Sequence, residues 1–137
     1  MREQAGRRLV VGAAIVRDGS VLAARRTAPA AAAGRWELPG GKVEAGETPE
    51  RAVAREVREE LDVEVVVTGW LSGRAPIGEA YELSVALVEL TSGEPRPGEH
   101  DRLRWLGADE LDDVDWLEAD RPFLPELGAI LRAACAG

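Results

Sequence analysis

The sequence predicts an α/β fold, with a mixed sheet packed between helices. Apolar runs and alternations of strand length recur along the chain, one strongly helical stretch interrupts them at mid-chain, and a second helix closes the C-terminus. Strand-rich chains whose helices each carry one apolar stripe bury both by laying the helices on the sheet.

Taken in order, Met1 to Gly6 is polar and expected to fray. Leu9 to Val16, rich in Val, reads as a buried strand, Asp18-Gly19 as a turn and Val21 to Arg26 as a returning strand. The alanine-rich stretch Ala28 to Ala33 contains Pro29, is closed by Gly34 and reads as a loop. In Arg35 to Pro39, Trp36 and Leu38 alternate with Glu37, as in a strand with one face inward. After a glycine-rich loop and the central helix, Val63 to Trp70 is a strand, Ser72-Gly73 a turn and Arg74 to Glu79 a loop. Ala80 to Leu90 is a long strand, and Thr91 to Gly98, with two prolines and two glycines, a loop. Arg102 to Leu106 is a strand with Leu103 and Trp105 on one face, followed by a helical turn at Ala108 to Leu111 and an acidic loop at Asp112 to Asp120. Arg121 to Ala134 is the last helix, with Leu124, Leu127, Ile130 and Leu131 as its inner stripe. The four tryptophans suit the core or a pocket rim.

The length of 137 residues suits one domain over residues 1–137, large enough to bury roughly two-thirds of its surface. Hydrophobic residues make up 45% and charged residues 31%, an ordinary globular balance. A net charge of −8 argues against binding polymeric DNA or RNA, yet leaves a nucleotide open, because a bound metal reverses the local potential. The single cysteine, Cys135, has no partner for an internal disulfide and reads as a structural thiol. With no membrane-spanning apolar run and no signal peptide, a cytoplasmic protein is expected, as a monomer or homodimer.

The chemistry concentrates between Gly40 and Val63. Thr48 is a good N-cap and Pro49 suits the first helical position, where no N–H is needed. Val53, Ala54, Val57 and Leu61 form the apolar stripe, with Glu56, Glu59 and Glu60 along its edge and Arg51, Arg55 and Arg58 further round, toward solvent. Like charges at these spacings cost about 0.2–0.5 kcal/mol per pair and call for a cation, which hard divalent ions supply. A solvated, salt-bridged helix face, with Arg55 and Glu59 as one pair, is the competing reading of the helix taken alone.

The stretch resembles the Nudix box, G-x5-E-x7-R-E-U-x-E-E-x-G-U: Gly41, Glu47, Arg55, Glu56, Val57, Glu59, Glu60 and Val63 fall on its fixed positions. The departure is Asp62, where the family usually has glycine; aspartate tolerates the left-handed conformation better than most residues, so a costlier turn and an intact site are expected. The run Arg35 to Lys42, the early strand pair and Gly93-Glu94-Pro95 are similar to the MutT branch. The segment from Asp113 to Asp120 is similar to its CTP/dCTP-hydrolysing members.

The resemblance implies the Nudix α/β/α sandwich and hydrolysis of a nucleoside triphosphate to monophosphate and pyrophosphate. It implies Mg2+ or Mn2+ held by Glu56, Glu59 and Glu60, with the Gly41 carbonyl as a further ligand and an attacking water activated by the metal. Arg55 would orient a glutamate, and Glu47 would shape the junction of loop and helix. Glu99, at the MutT-like offset from Gly93-Glu94-Pro95, is the base or additional ligand; its neighbour His100, the only histidine, is not needed by an oxygen-rich magnesium site. Lys42 and Arg25 are the candidates to meet phosphate charge, Arg25 being preferred to Arg26 by strand alternation. Asp120 matches the position that reads the base; as an ionised acceptor it favours the amine of CTP or dCTP, 5-methyl forms included, while 8-oxo-dGTP stays open. Helix capping is its alternative role. Leu38 and Tyr81 are candidates to pack on the base. The box does not separate this reading from a Nudix hydrolase of ADP-ribose, a nucleotide sugar or a dinucleoside polyphosphate. A non-catalytic nucleotide-sensing module is a third reading, which the intact box glutamates disfavour.

Overall fold

A computed structural model describes residues 6–136. The reading of Met1 to Gly6 as frayed falls, but for Gly6, outside the described residues, as does that of the Cys135 thiol. Eight strands are present among the described residues: β1 (Arg8–Arg17), β2 (Ser20–Arg25), β3 (Trp36–Glu37), β4 (Gly40–Lys42), β5 (Glu64–Trp70), β6 (Ala75–Ile77), β7 (Tyr81–Ser92) and β8 (Arg102–Gly107). Helix α1 (Pro49–Leu61) lies between β4 and β5, and α2 (Leu124–Ala136) closes the chain.

The sheet is mixed. β1 runs parallel to β7 over Arg8 to Ile15, and the remaining strand pairs are antiparallel. Alternation along β1 divides the core in two: Val11, Ala13 and Ile15 pack with Val53, Val57 and Leu61 of α1, while Ala14, facing the other way, packs with Leu127 and Leu131 of α2. The sheet is thus covered on both faces, the sandwich that the pattern predicts. Leu103 and Trp105 share the α1 side, and Leu124 and Ile130 pack against the α2 side. Trp36 and Trp116 are core residues. No helix among the described residues is long and apolar enough to cross a membrane.

Five expectations need correction. Gly40 to Lys42 is a short strand on β1 rather than loop, because these glycines let two backbones meet: a Cβ on Gly40 would run into the backbone of Val11. Ala75 to Ile77 is a strand on the free edge of β7, formed by pairing that Pro76 and Gly78 hide from any local pattern. The helical turn expected at Ala108 to Leu111 is present as a 3-10 helix, Ala108–Asp113, but the acidic loop after it holds a second, Glu118–Phe123. α2 therefore begins at Leu124, since Pro122 sits inside the second 3-10 helix and Pro125 suits the first turn. On α1 the buried set is Ala52, Val53, Val57 and Leu61, with Ala54 only half-buried.

Asp62 ends α1 in the left-handed region (φ 60°, ψ 41°), as expected where the family has glycine, its N–H bonding to the Arg58 carbonyl at 3.0 Å. Asp62→Gly relieves the Cβ penalty but loosens the unfolded chain, and should stabilise the protein by about 0.5 kcal/mol, read from urea denaturation midpoints. A clear loss of stability would contradict this account of the cap.

Candidate active site

The site grows from the start of α1. Thr48 accepts the Arg51 N–H at 3.1 Å, and Pro49 opens the first turn. This sets Arg55, Glu56, Glu59 and Glu60 against the loop that follows β4. Arg55 is half-buried rather than turned to solvent as expected. Its guanidinium donates to Glu47 at 2.7 and 3.0 Å, to Glu56 at 2.9 Å, to Glu59 at 3.3 Å and to the Lys42 carbonyl at 3.0 Å. Glu47 answers to Arg55 first and to the Glu44 N–H second, and its carboxyl is lowered to about 2.

Glu56, Glu59, Glu60 and Glu99 line one acidic cavity of about 290 Å3, together with Arg26, Glu37 and His100. Burial, a hydrogen bond with Glu56 and the charges of Glu37 and Glu56 push Glu60 up to about 9, against the opposing Gly40 N–H. Gly41 lies so close that a Cβ there would overlap the Glu56 carboxylate. Glu99 arrives from the loop between β7 and β8. The Arg96 N–H bonds to the Leu61 carbonyl at 3.0 Å, Gly98 (φ 58°) packs against the Glu60 backbone where no Cβ fits, and Thr27 Oγ1 donates to the Glu99 carbonyl at 3.1 Å.

The crowded donors are carboxylates, and burial beside Glu56 and Glu37 holds Glu60 above its ordinary value. That chemistry fits a hard divalent cation, with Glu56, Glu59, Glu60 and Glu99 as the residues to hold it.

A second cavity, of about 460 Å3, shares Arg26, Glu37 and Gly40 with the first. Leu38, Gly41, Lys42, Leu83 and Asp120 line it. Asp120 reaches it because Trp36 pairs with Trp116: the Trp36 N–H bonds to the Asp115 carbonyl at 2.9 Å and the Leu117 N–H to the Trp36 carbonyl at 2.8 Å. The Asp120 residue is 4% exposed. Burial first and Glu37 second raise its carboxyl well above the ordinary aspartate value, although the Leu38 N–H and Arg26 oppose them. Burial and Glu37 thus work against the ionised form on which an acceptor-only reading of Asp120 depends.

Two further placements depart from the sequence reading. Arg25 pairs with Asp101 through two 2.8 Å bonds, and Arg26 takes its expected place at the cavities. Tyr81 lies under Lys42, whose Nζ is 4.8 Å from the ring centre, and stands outside the residues lining either cavity. The residue that sequence reasoning missed is Glu37, common to both cavities. Its signal was present: it is the one outward position between Trp36 and Leu38, whose side chains are buried.

A NUDIX domain matches residues 6–127 of the chain. The chain belongs to the Nudix family. A Mycobacterium tuberculosis protein provisionally named 8-oxo-dGTP diphosphatase 2 is 45% identical over 131 residues, which are 93% of each chain. The Escherichia coli protein named CTP pyrophosphohydrolase is 39% identical over 127 residues, covering 91% of this chain and 93% of that one. The crystal structure of a MutT NUDIX hydrolase from Burkholderia pseudomallei superposes with a TM-score of 0.74 at 38% identity, covering 88% of this chain and 98% of its own. This Nudix chain is therefore a hydrolase of nucleotide diphosphate linkages, in a family that uses divalent metal.

Glu60 gives the metal-free Nudix protein an unusual pH dependence. Its folded value of about 9 lies above the ordinary 4.5, so the folded state keeps a proton that the unfolded chain has already released. Stability should therefore fall as pH rises between those values. Urea melts in chelator at pH 6 and 8.5 should show the decline, Glu60→Gln should flatten it, and added divalent cation should reverse it. A melt unchanged between the two pH values would count against the buried acid.

Proposed function

We propose that this Nudix hydrolase is a MutT-like nucleoside triphosphate pyrophosphohydrolase. Its substrates are CTP and dCTP, 5-methyl forms included, and 8-oxo-dGTP, and its role is to clear unwanted nucleotides from the precursor pool. One observation carries the reading: an acidic cavity shares Arg26, Glu37 and Gly40 with a more apolar one that holds a single buried carboxyl, Asp120. The first suits a cation and phosphates, the second a base. The names of the two relatives above support the same substrate classes.

The negative charge of a phosphoanhydride repels nucleophiles, so catalysis reduces to neutralising charge, positioning phosphates and activating a water. Glu56, Glu59 and Glu60, with the Gly41 carbonyl, would hold Mg2+ or Mn2+, and Glu99 would be a further ligand or the base that takes the proton of the attacking water. When bound, that cation neutralises phosphate charge and makes the attacking water more acidic. Arg55 keeps Glu56 and Glu59 in place through direct bonds. Arg26 and Lys42 meet the phosphates at the rim. The base lies against Leu38 with its polar edge toward Asp120. A carboxyl that keeps its proton offers both an O–H donor and an acceptor, so it can satisfy an amine with a neighbouring ring nitrogen in cytosine, or a donor and an acceptor of an oxidised purine.

Glu59→Gln should lower kcat by about 10²–10³-fold with Mg2+ while leaving the circular dichroism spectrum unchanged; near-normal turnover would remove Glu59 from the metal site. Asp120 should act on choice rather than rate. Across CTP, dCTP, 5-methyl-dCTP, dGTP and 8-oxo-dGTP, Asp120→Asn should keep the order of kcat/KM because it also offers a donor and an acceptor, whereas Asp120→Ala should flatten it. An equal loss on every nucleotide would make Asp120 a structural group.

A further inference from the structure

One end of the acidic cavity joins a glutamate of the box to two residues that the box does not explain. Glu37 of β3, Glu60 of α1 and His100, just before β8, each offer one donor atom, and the three atoms lie within 4.8 Å of one another. They come from separate stretches of chain and line the same cavity as Glu56, Glu59 and Glu99.

The imidazole is the informative member. Its side chain is 8% exposed, with Nε2 2.9 Å from Glu37 Oε2 and Nδ1 buried without a partner. A neutral imidazole has one N–H and one lone pair. With the proton on Nε2, the ring donates to Glu37 and a buried lone pair is left over. With the proton on Nδ1, a buried N–H is left over and the Nε2 lone pair faces a carboxylate oxygen. Both forms leave the ring incompletely satisfied, which folded proteins generally avoid; an ion on Nε2 would relieve the lone pair that faces the carboxylate and fix the proton on Nδ1. Glu37 is already oriented from its other side, where Arg26 Nη1 donates to Oε1 at 3.0 Å. That leaves Oε2 directed at the histidine, a charged group steadied from outside in the way that supporting residues steady metal ligands.

We propose that Glu37, Glu60 and His100 form a second cation position, for a zinc-like transition ion, beside the magnesium-type site of the box and sharing Glu60 with it. An all-oxygen set suits magnesium; an imidazole nitrogen with two carboxylates suits zinc and its neighbours. Three protein donors at the wall of an open cavity leave coordination free toward it. On the reading that this cavity takes the phosphates, an ion there would share them with the magnesium-type site.

The test does not depend on nucleotide hydrolysis, so it stands or falls apart from the proposed substrates. The full chain, without a histidine tag and saturated with Mg2+, is titrated with Zn2+ by calorimetry. The wild type should bind one equivalent tightly. His100→Gln, which keeps a hydrogen-bonding side chain but no imidazole, should weaken that binding by at least about tenfold, and Glu37→Gln should weaken it too. Because the chain has one histidine, the wild type needs no mutation to be read. Zn2+ should shift the imbalance of the ring's two nitrogen resonances in NMR, marking a coordinated nitrogen. The proposal is overturned if Zn2+ leaves those resonances in place, or if a folded His100→Gln titrates like the wild type.

Discussion

The site depends on Arg55. A helix that places Glu56, Glu59 and Glu60 within one turn repels itself, and its loop adds Glu47. Arg55 bonds Glu47, Glu56, Glu59 and the Lys42 carbonyl at once, so a single planar cation offsets the repulsion and fastens the loop to the helix. A guanidinium suits this because its donors form a rigid fork and its charge persists at any ordinary pH. Lysine, a point charge with fewer donors, would not span four acceptors in the same way. Arg55 itself is held charged above its already high ordinary value, with Glu47 as the leading cause.

A second constraint is close approach. Gly40 lets β4 reach β1, Gly41 makes room for the Glu56 carboxylate, and Gly98 lets the loop bearing Glu99 settle on the end of α1. The acids are thereby brought into one partly desolvated space, where Glu60 and Asp120 both resist ionisation. Such an arrangement lowers the stability of the metal-free fold. It concentrates negative potential where the proposed cation would sit and disfavours ionisation of the carboxyl proposed to face the base. Glu37 lines both cavities and acts on both acids, so the two cavities are electrostatically joined.

Local patterns carried far. Thr48 and Pro49 mark the start of α1, and Asp62 its left-handed end, because capping and backbone sterics act within a few residues. The long strands were visible because alternation and apolar runs record burial directly. β4 and β6 were not, since their glycines and prolines carry no strand propensity and the partner strand alone defines them. The stripe on α1 was misjudged at Ala52 and Ala54 because alanine is small enough to be tolerated at the edge of either face.

The sequence by itself determined the family, the sandwich, the helix that bears the acids and the glutamates that come to line the acidic cavity. These follow from spacing along one helix and from patterns a few residues long. Only the tertiary structure decided that Arg26 rather than Arg25 faces the cavities, that Arg55 turns inward, that Glu37 and His100 meet Glu60, and that burial keeps the Asp120 carboxyl from ionising readily. Each of these depends on groups distant in the chain: Asp101 claims Arg25, Glu47 claims Arg55, and the pairing of Trp36 with Trp116 brings Asp120 beside Leu38. A side chain's charge and direction are set by what surrounds it, and for these residues the surroundings exist only once the sheet has brought remote segments together.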